Sequence, residues 1–239
     1  MAAPTIGRRP GTLPGSLPSI DWSHPLAAGL AYLVIPRGRA MIDLVSGQPL
    51  TVRSGATQSQ TPYGEGFAST TSTSGAYIAT RKTTWTYPLS FVWCGTSVGT
   101  SSGGAGLCCT VVTAPGSGES PPFLCGLSVN ATWKPVLSTT NGASFSGQAK
   151  ASSNFAAQRT CVAGVIRVSD QRLFVNGEQV ASSSHPGTNS QSQAYLAVND
   201  YSTDGTSNSA CSIALMYERA LENGEVAALT ADPFAMLRY

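Results

Sequence analysis

The chain has 239 residues, a length that one all-β domain can fill and that can bury a core without help from a metal or a disulfide. Only 11% of its residues are charged and the net charge is +2, against about a quarter charged in an average protein. The basic groups are scattered, which excludes a clustered nucleic-acid footprint, and no apolar run approaches the ~18 residues of a membrane-spanning helix.

Residues 1–20 interleave Pro4, Pro10, Pro14 and Pro18 with Gly7, Gly11 and Gly15, a pattern that prevents a helix and any central strand. They are expected to form an extended arm, ordered by a partner, with the folded domain over 21–239. The arm's candidate partner-binding residues are Ile6, Leu13, Leu17 and Ile20 for shallow apolar pockets, with Arg8 and Arg9 for carboxylates. Met1–Arg9 has no apolar stretch of the kind a secretory signal requires.

From Asp21 onward, short β-branched and aromatic runs alternate with Gly, Ser, Thr, Asn and Pro clusters, the mark of an antiparallel sandwich or barrel. Strands are expected over Ala31–Ile35, Leu50–Arg53, Ala76–Thr80, Leu89–Thr96, Leu107–Thr113, Phe123–Val129 and Val136–Thr139. Others are expected over Thr160–Val168, Arg172–Val175, Tyr195–Val198 and Ala210–Tyr217. Asn176-Gly177 supplies the two positive φ angles of a type I′ hairpin turn. Ser97–Gly106 and Ala114–Pro122 have the composition of surface loops. Near the end, Glu222–Leu229 reads as one short helix, with Glu225 placed to reach back to the first free amides and Pro233 closing it.

The six cysteines, Cys94, Cys108, Cys109, Cys125, Cys161 and Cys211, sit in apolar stretches without a C-x-x-C pair. They read as buried, reduced thiols that behave as small hydrophobes. The central runs Leu89–Thr96, Leu107–Thr113, Phe123–Val129 and Ala210–Tyr217 contain no Asp or Glu, so no carboxylate pair of the kind that cleaves glycosidic bonds shares a strand face. His24 and His185 stand alone before prolines, and no G-x-S-x-G marks a nucleophile. The one oxygen-rich run, Asn199–Gly205 with Asp200 and Asp204, reads as a turn rather than a calcium loop. No metal and no cofactor is expected.

Three segments together resemble the laminin-G-like, concanavalin-A-like jelly-roll proteins of tailed phages and prophages. Asp21-Trp22-Ser23-His24-Pro25-Leu26-Ala27-Ala28-Gly29-Leu30 is similar to the family's opening motif, and Arg172–Gly177 to its hairpin. Met216–Leu229 followed by Asp232–Leu237 is similar to its closing strand, helix and tail. Val34-Ile35-Pro36-Arg37 and Glu222 depart from the pattern. The resemblance implies an all-β, antiparallel two-sheet jelly-roll sandwich with one short C-terminal helix. In it Arg219 and Leu221 would fix the helix against the sheet, and Trp22, His24 and Pro25 would tie the chain entry to the same end.

It also implies a non-enzymatic virion structural protein, a capsid decoration (cement) or head/tail accessory protein assembled in the host cytoplasm. Its partners would be viral coat subunits and further copies of itself. The same fold serves lectins, so the alternative is a carbohydrate-binding module, for which Trp85, Tyr87, Trp133 and Tyr201 are the candidate aromatics.

Overall fold

Four apolar runs, within Leu30–Arg37, Leu89–Ser97, Arg159–Ile166 and Ser209–Tyr217, decide the architecture, because each is buried at odd and even positions alike and is covered on both faces. They are the cores of the central strands in a computed structural model that describes residues 17–52, 56–69, 76–79, 86–97, 105–111, 123–129, 134–140, 145–153, 159–184, 195–198 and 209–239. In chain order the strands are β1 (Ser19–Ile20), β2 (Leu30–Arg37), β3 (Ala40–Asp43), β4 (Gln48–Pro49), β5 (Thr51–Val52), β6 (Ala56–Thr61) and β7 (Gly64–Ser69). They continue as β8 (Ala76–Ala79), β9 (Leu89–Ser97), β10 (Ala105–Val111), β11 (Phe123–Val129), β12 (Pro135–Thr140) and β13 (Phe145–Lys150). The last are β14 (Arg159–Ile166), β15 (Gln171–Val175), β16 (Glu178–Ser183), β17 (Tyr195–Val198), β18 (Ser209–Tyr217) and β19 (Leu237–Arg238), with helix α1 (Asn223–Ala231) before β19.

Two antiparallel sheets face each other. The smaller has seven strands in the order β13-β12-β11-β10-β17-β8-β5. The larger has ten, with β16-β15-β14-β9-β18-β2-β3-β4 in line and the β6–β7 hairpin paired to the first half of β18. Among the described residues the expected strands are present with ends that differ by a residue or two, except that within Leu50–Arg53 only Thr51–Val52 forms a strand, which opens the small sheet, while Gln48–Pro49 before it closes the large one. Strands β6 and β7 carry no signal in the sequence, since Ala56-Thr57-Gln58-Ser59-Gln60-Thr61 is polar and Gly64-Glu65-Gly66 favours turns.

Between the sheets lie Tyr32, Val34, Phe67, Phe91, Trp93, Leu107, Leu127, Leu137, Val162 and Met216. Gly164 allows a close approach there, because a Cβ at that position would stand 2.4 Å from Leu137 Cδ1. On the outer face of the large sheet a second core forms from Leu33, Ile35, Val92, Ala163, Val165, Phe174, Ile213, Leu215 and Tyr217. The chain ends cover it: Leu26 and Leu30 from the entry, Val226 and Leu229 from α1, and Met236 and Leu237 after it. A bulge at Ser212 re-phases β18, so that Cys211 and Ala214 both face inward, and it falls where the neighbouring strand changes from β7 to β2. Ser212 Oγ is satisfied by Thr61 Oγ1 at 2.5 Å.

Two expectations are corrected here. Ile20 does not belong to a free arm. Ser19–Ile20 pair with Leu237–Arg238, and Ile20 is buried in the outer core at 9% exposure. Nor are all six cysteines thiols: Cys94 and Cys161 are opposed in the β9–β14 register, with Cα atoms 4.1 Å apart, and form a disulfide. Their separation of 67 residues hid the pairing, which exists because both side chains leave the same face of adjacent strands. Cys108, Cys125 and Cys211 are free and buried. Burial pushes the Cys108 and Cys211 thiols well up, so they stay protonated and inert.

Candidate functional site

The outer face of the large sheet carries α1, whose Val226 and Leu229 join the outer core. The helix starts because Glu225 turns back and its Oε2 accepts the Glu222 N–H at 2.8 Å, so the Glu at the cap position is served by the Glu three residues on. Arg219 holds Glu225 with two hydrogen bonds, 2.7 Å from Nη1 and 2.6 Å from Nη2, and donates from Nε to the Ala28 carbonyl at 2.6 Å. One guanidinium therefore joins the chain entry, the last strand and the helix. The pair raises Arg219 above its ordinary pKa and holds the Glu225 carboxyl below the usual range, hydrogen bonding being the main cause in each case. Leu221 is buried beside it, and its N–H is fixed by Ser90 Oγ at 3.0 Å. The expected roles of Arg219 and Leu221 hold.

The Asn176-Gly177 turn has φ +50° and +86° and packs under the helix, where a Cβ on Gly177 would stand 3.5 Å from Ala227 Cα. Asn176 is locked to β14, its N–H donating to the Cys161 carbonyl at 2.8 Å and its Oδ1 accepting from the Cys161 N–H at 2.9 Å. At the chain entry, His24 Nδ1 accepts from the Leu26 N–H at 3.2 Å and starts the 3-10 turn Pro25–Ala27. Trp22 makes no such tie, since its side chain is 58% exposed.

Beside the helix the hairpin and the β6–β7 turn enclose a surface depression of about 490 Å³. Tyr63 lines it, buried at 6% exposure, with its hydroxyl 3.2 Å from Sγ of the disulfide-bonded Cys161. The Arg159 guanidinium stacks 4.4 Å from the Tyr63 ring centre and reaches toward the Ala231 carbonyl at the helix C-terminus. Burial raises the Tyr63 pKa, with Arg159 opposing, so the phenol stays neutral. Asn176, Glu178 and Thr230 complete the polar rim. The depression thus presents donors and acceptors of both charge signs without an excess of either, a lining suited to a neutral hydroxyl-rich ligand. None of Tyr63, Arg159 or Glu178 stands out in the sequence, because they meet only through the packing of β6–β7 and α1 on the large sheet.

Of the expected binding residues, Ile6, Arg8, Arg9 and Leu13 lie outside the described residues. Leu17 is exposed at 44%, and Ile20 is enclosed as reported above. Among the lectin candidates, Trp85, Trp133 and Tyr201 lie outside the described residues, and Tyr87 packs against the inner core, where burial raises its pKa. The Asp200/Asp204 run and His185 also lie outside them. Among the described residues no group of three or more His, Cys, Asp or Glu could hold a metal ion, and no helix is long and apolar enough to cross a membrane.

This arrangement defines an antiparallel β-sandwich of jelly-roll type. Solved structures with the same architecture include Trypanosoma rangeli sialidase in complex with sialic acid, at 16% identity and TM-score 0.59 over 87% of this chain and 34% of that one. They also include the binding domain of Paraclostridial Mosquitocidal Protein 1, at 14% identity and TM-score 0.59 over 88% of this chain and 53% of that one. A third is the HCR/D W1238A mutant, at 10% identity and TM-score 0.63 over 87% and 53%. The chain spans a third to a half of these proteins, and at such identities the likeness is one of fold. No family model and no curated protein matches the chain.

Proposed function

We propose that the chain is a non-enzymatic structural subunit of a virus particle, a decoration (cement) or head/tail accessory protein that docks on coat subunits. The observation that carries this reading is the meeting of the three phage-like segments at one place. The entry Asp21–Leu30, the hairpin Arg172–Gly177 and the closing Met216–Leu237 are held together by Arg219 on the Ala28 carbonyl, by Gly177 under Ala227, and by the Asp21 N–H on the Met236 carbonyl at 2.8 Å. Segments that are far apart in sequence and resemble one family thus form one structural unit. A sandwich whose large sheet is covered on both faces and whose surface is polar but weakly charged suits permanent adhesive docking. The test is co-purification of the full chain with particles of the virus that encodes it, at a fixed ratio to the coat protein. Its absence from washed particles defeats the reading.

A second reading, a carbohydrate-binding module, is favoured by the depression over Tyr63, whose lining suits a neutral sugar. Its fold is also similar to that of about a third of a sialidase solved with sialic acid and of about half of the binding domain of Paraclostridial Mosquitocidal Protein 1. A glycan array of the full chain tests it: saturable binding that is lost in Glu178→Ala supports a sugar site there, and an array without binding removes it.

A further inference from the structure

Cys161 touches two walls of the depression at once. Its Sγ stands 3.2 Å from the Tyr63 hydroxyl in the β6–β7 turn, and its N–H and carbonyl are both bonded to Asn176 in the β15–β16 turn, at 2.9 and 2.8 Å. Arg159, two residues earlier in β14 and on the same face, carries its guanidinium to the Tyr63 ring. Because the Cys161 peptide is turned to Asn176, its pairing with Cys94 is of the non-hydrogen-bonded kind, with Cα atoms 4.1 Å apart. The disulfide is therefore the bond that joins β9 to β14 at that position. Cys94 is 0% and Cys161 1% exposed, so the sulfurs are enclosed within the outer core. The free thiols Cys108, Cys125 and Cys211 face the core between the sheets, and none reaches this bond across the large sheet.

We propose that the Cys94–Cys161 disulfide is a redox switch for the depression, which keeps its shape while the bond is intact and loses Tyr63 from its lining when a dithiol reduces it. This names the regulation of the depression in the sugar-binding reading, and rests on that reading for the ligand alone. The chemistry is thiol–disulfide exchange. One thiolate of the dithiol attacks a sulfur of the bond, the second releases the mixed disulfide, and the reductant closes its own ring. The chain keeps two thiols, having gained two electrons and two protons. Two unbonded sulfurs must then stand at van der Waals separation, roughly 3.5–4 Å. Both leave the same face of adjacent strands, and Cys161 Sγ already stands 3.2 Å from the Tyr63 hydroxyl, so the added room is taken from the ring. Moving Tyr63 unseats Arg159, and the shift of Cys161 passes to Asn176 through two hydrogen bonds, so the change reaches both walls. The coupling is reciprocal: a ligand that requires the closed depression makes the bond harder to reduce by the same factor.

The experiment follows hydrogen exchange of the Tyr63 and Asn176 amides, which are bonded to Thr61 Oγ1 and to the Cys161 carbonyl, in the full chain well below its melting temperature. Oxidised wild type is compared with wild type refolded in dithiothreitol and with Cys94→Ala. The last two both lack the cross-link and share its loss of stability, but only the reduced wild type keeps two sulfurs beside Tyr63. Both amides are expected to exchange about tenfold faster or more in the reduced wild type than in Cys94→Ala, the local loosening that overpacking brings. Equal exchange in these two forms overturns the switch. Tyr63→Phe removes the hydroxyl that Cys161 Sγ abuts and serves as the second variant. Its reduced form is expected to exchange at Asn176 more slowly than the reduced wild type, and an equal rate overturns the route through Tyr63. The glycan array is then run on the oxidised and the reduced chain. Sugar binding that weakens on reduction supports the switch and the sugar site together, and equal binding in both states overturns the switch. An array without binding in either state removes the sugar reading, while faster exchange on reduction upholds the switch in the depression itself. A chain with no disulfide before reductant is added overturns the proposal.

Discussion

Ile20 separates two descriptions of where the folded domain begins, and truncating it to alanine tests them. Its side chain is 9% exposed and packs with Leu237 and the outer core, which also holds Leu26, Leu30 and Met236. Deleting three carbons from a buried isoleucine costs about 2–5 kcal/mol, and a rim site that can partly collapse belongs at about 2 kcal/mol. For a domain of this size each kcal/mol moves the melting temperature by about 2–4 °C, so Ile20→Ala is expected to melt about 4–8 °C below wild type. Leu17→Ala, three residues earlier and exposed, is expected within about 0.5 kcal/mol of wild type. The point substitution is cleaner than starting the chain at Asp21, because shortening also removes the ordering cost of Leu17–Ile20, about 1–2 kcal/mol each, which opposes the lost packing. The assay is thermal unfolding by circular dichroism, with denaturant midpoints at unchanged slope as a check. A melting temperature for Ile20→Ala within about 2 °C of wild type refutes the packing of β1 on β19 and restores the arm to residues 1–20.

Thiol titration of the denatured chain should find two fewer free groups before reduction than after, for the Cys94–Cys161 bridge. Equal counts would show that the pair is reduced. A bridge closing a loop of 67 residues constrains the unfolded chain by about 4 kcal/mol in the loop-entropy account, so reductant should lower the melting temperature by roughly 8–16 °C. Glu225 is held below its ordinary pKa by Arg219. Its carboxylate therefore stabilises the fold fully above the unfolded value near 4.5, and that contribution fades as pH falls toward the lower folded value. Glu225→Gln should lose stability at pH 7, by about 1 kcal/mol after allowance for solvent screening, and differ less from wild type at pH 3. A difference independent of pH would show that the pair does not form. Gly164→Val should destabilise by about 1–3 kcal/mol or more, since its Cβ would press on Leu137 and Leu127 between the sheets. A wild-type midpoint there would mean that the sheets stand farther apart.

Local chemistry made several elements legible in the sequence. Asn176-Gly177 can take its positive φ angles cheaply and turns where expected, and Phe91-Val92-Trp93-Cys94 and Ser212–Tyr217 are too apolar to be anything but central strands. Glu225 three residues after the cap position predicts the start of α1. The motif around Arg219 and Leu221 also gave the corner that binds the helix to the sheet. What the sequence could not reveal depends on which distant residues become neighbours. A cysteine has no local mark that tells a disulfide from a buried thiol, and Cys94 and Cys161 are joined because β9 and β14 pair in one register. Ile20 follows a Pro/Gly-rich stretch and looks free until β19, 217 residues later by the Ile20–Leu237 pairing, returns beside it. The depression exists only where a turn with Tyr63, a strand end with Arg159 and a hairpin with Glu178 meet under α1. Hydrophobic periodicity reports that a face is buried but not what buries it, so the covering of the large sheet by the chain ends was decided by the tertiary structure alone.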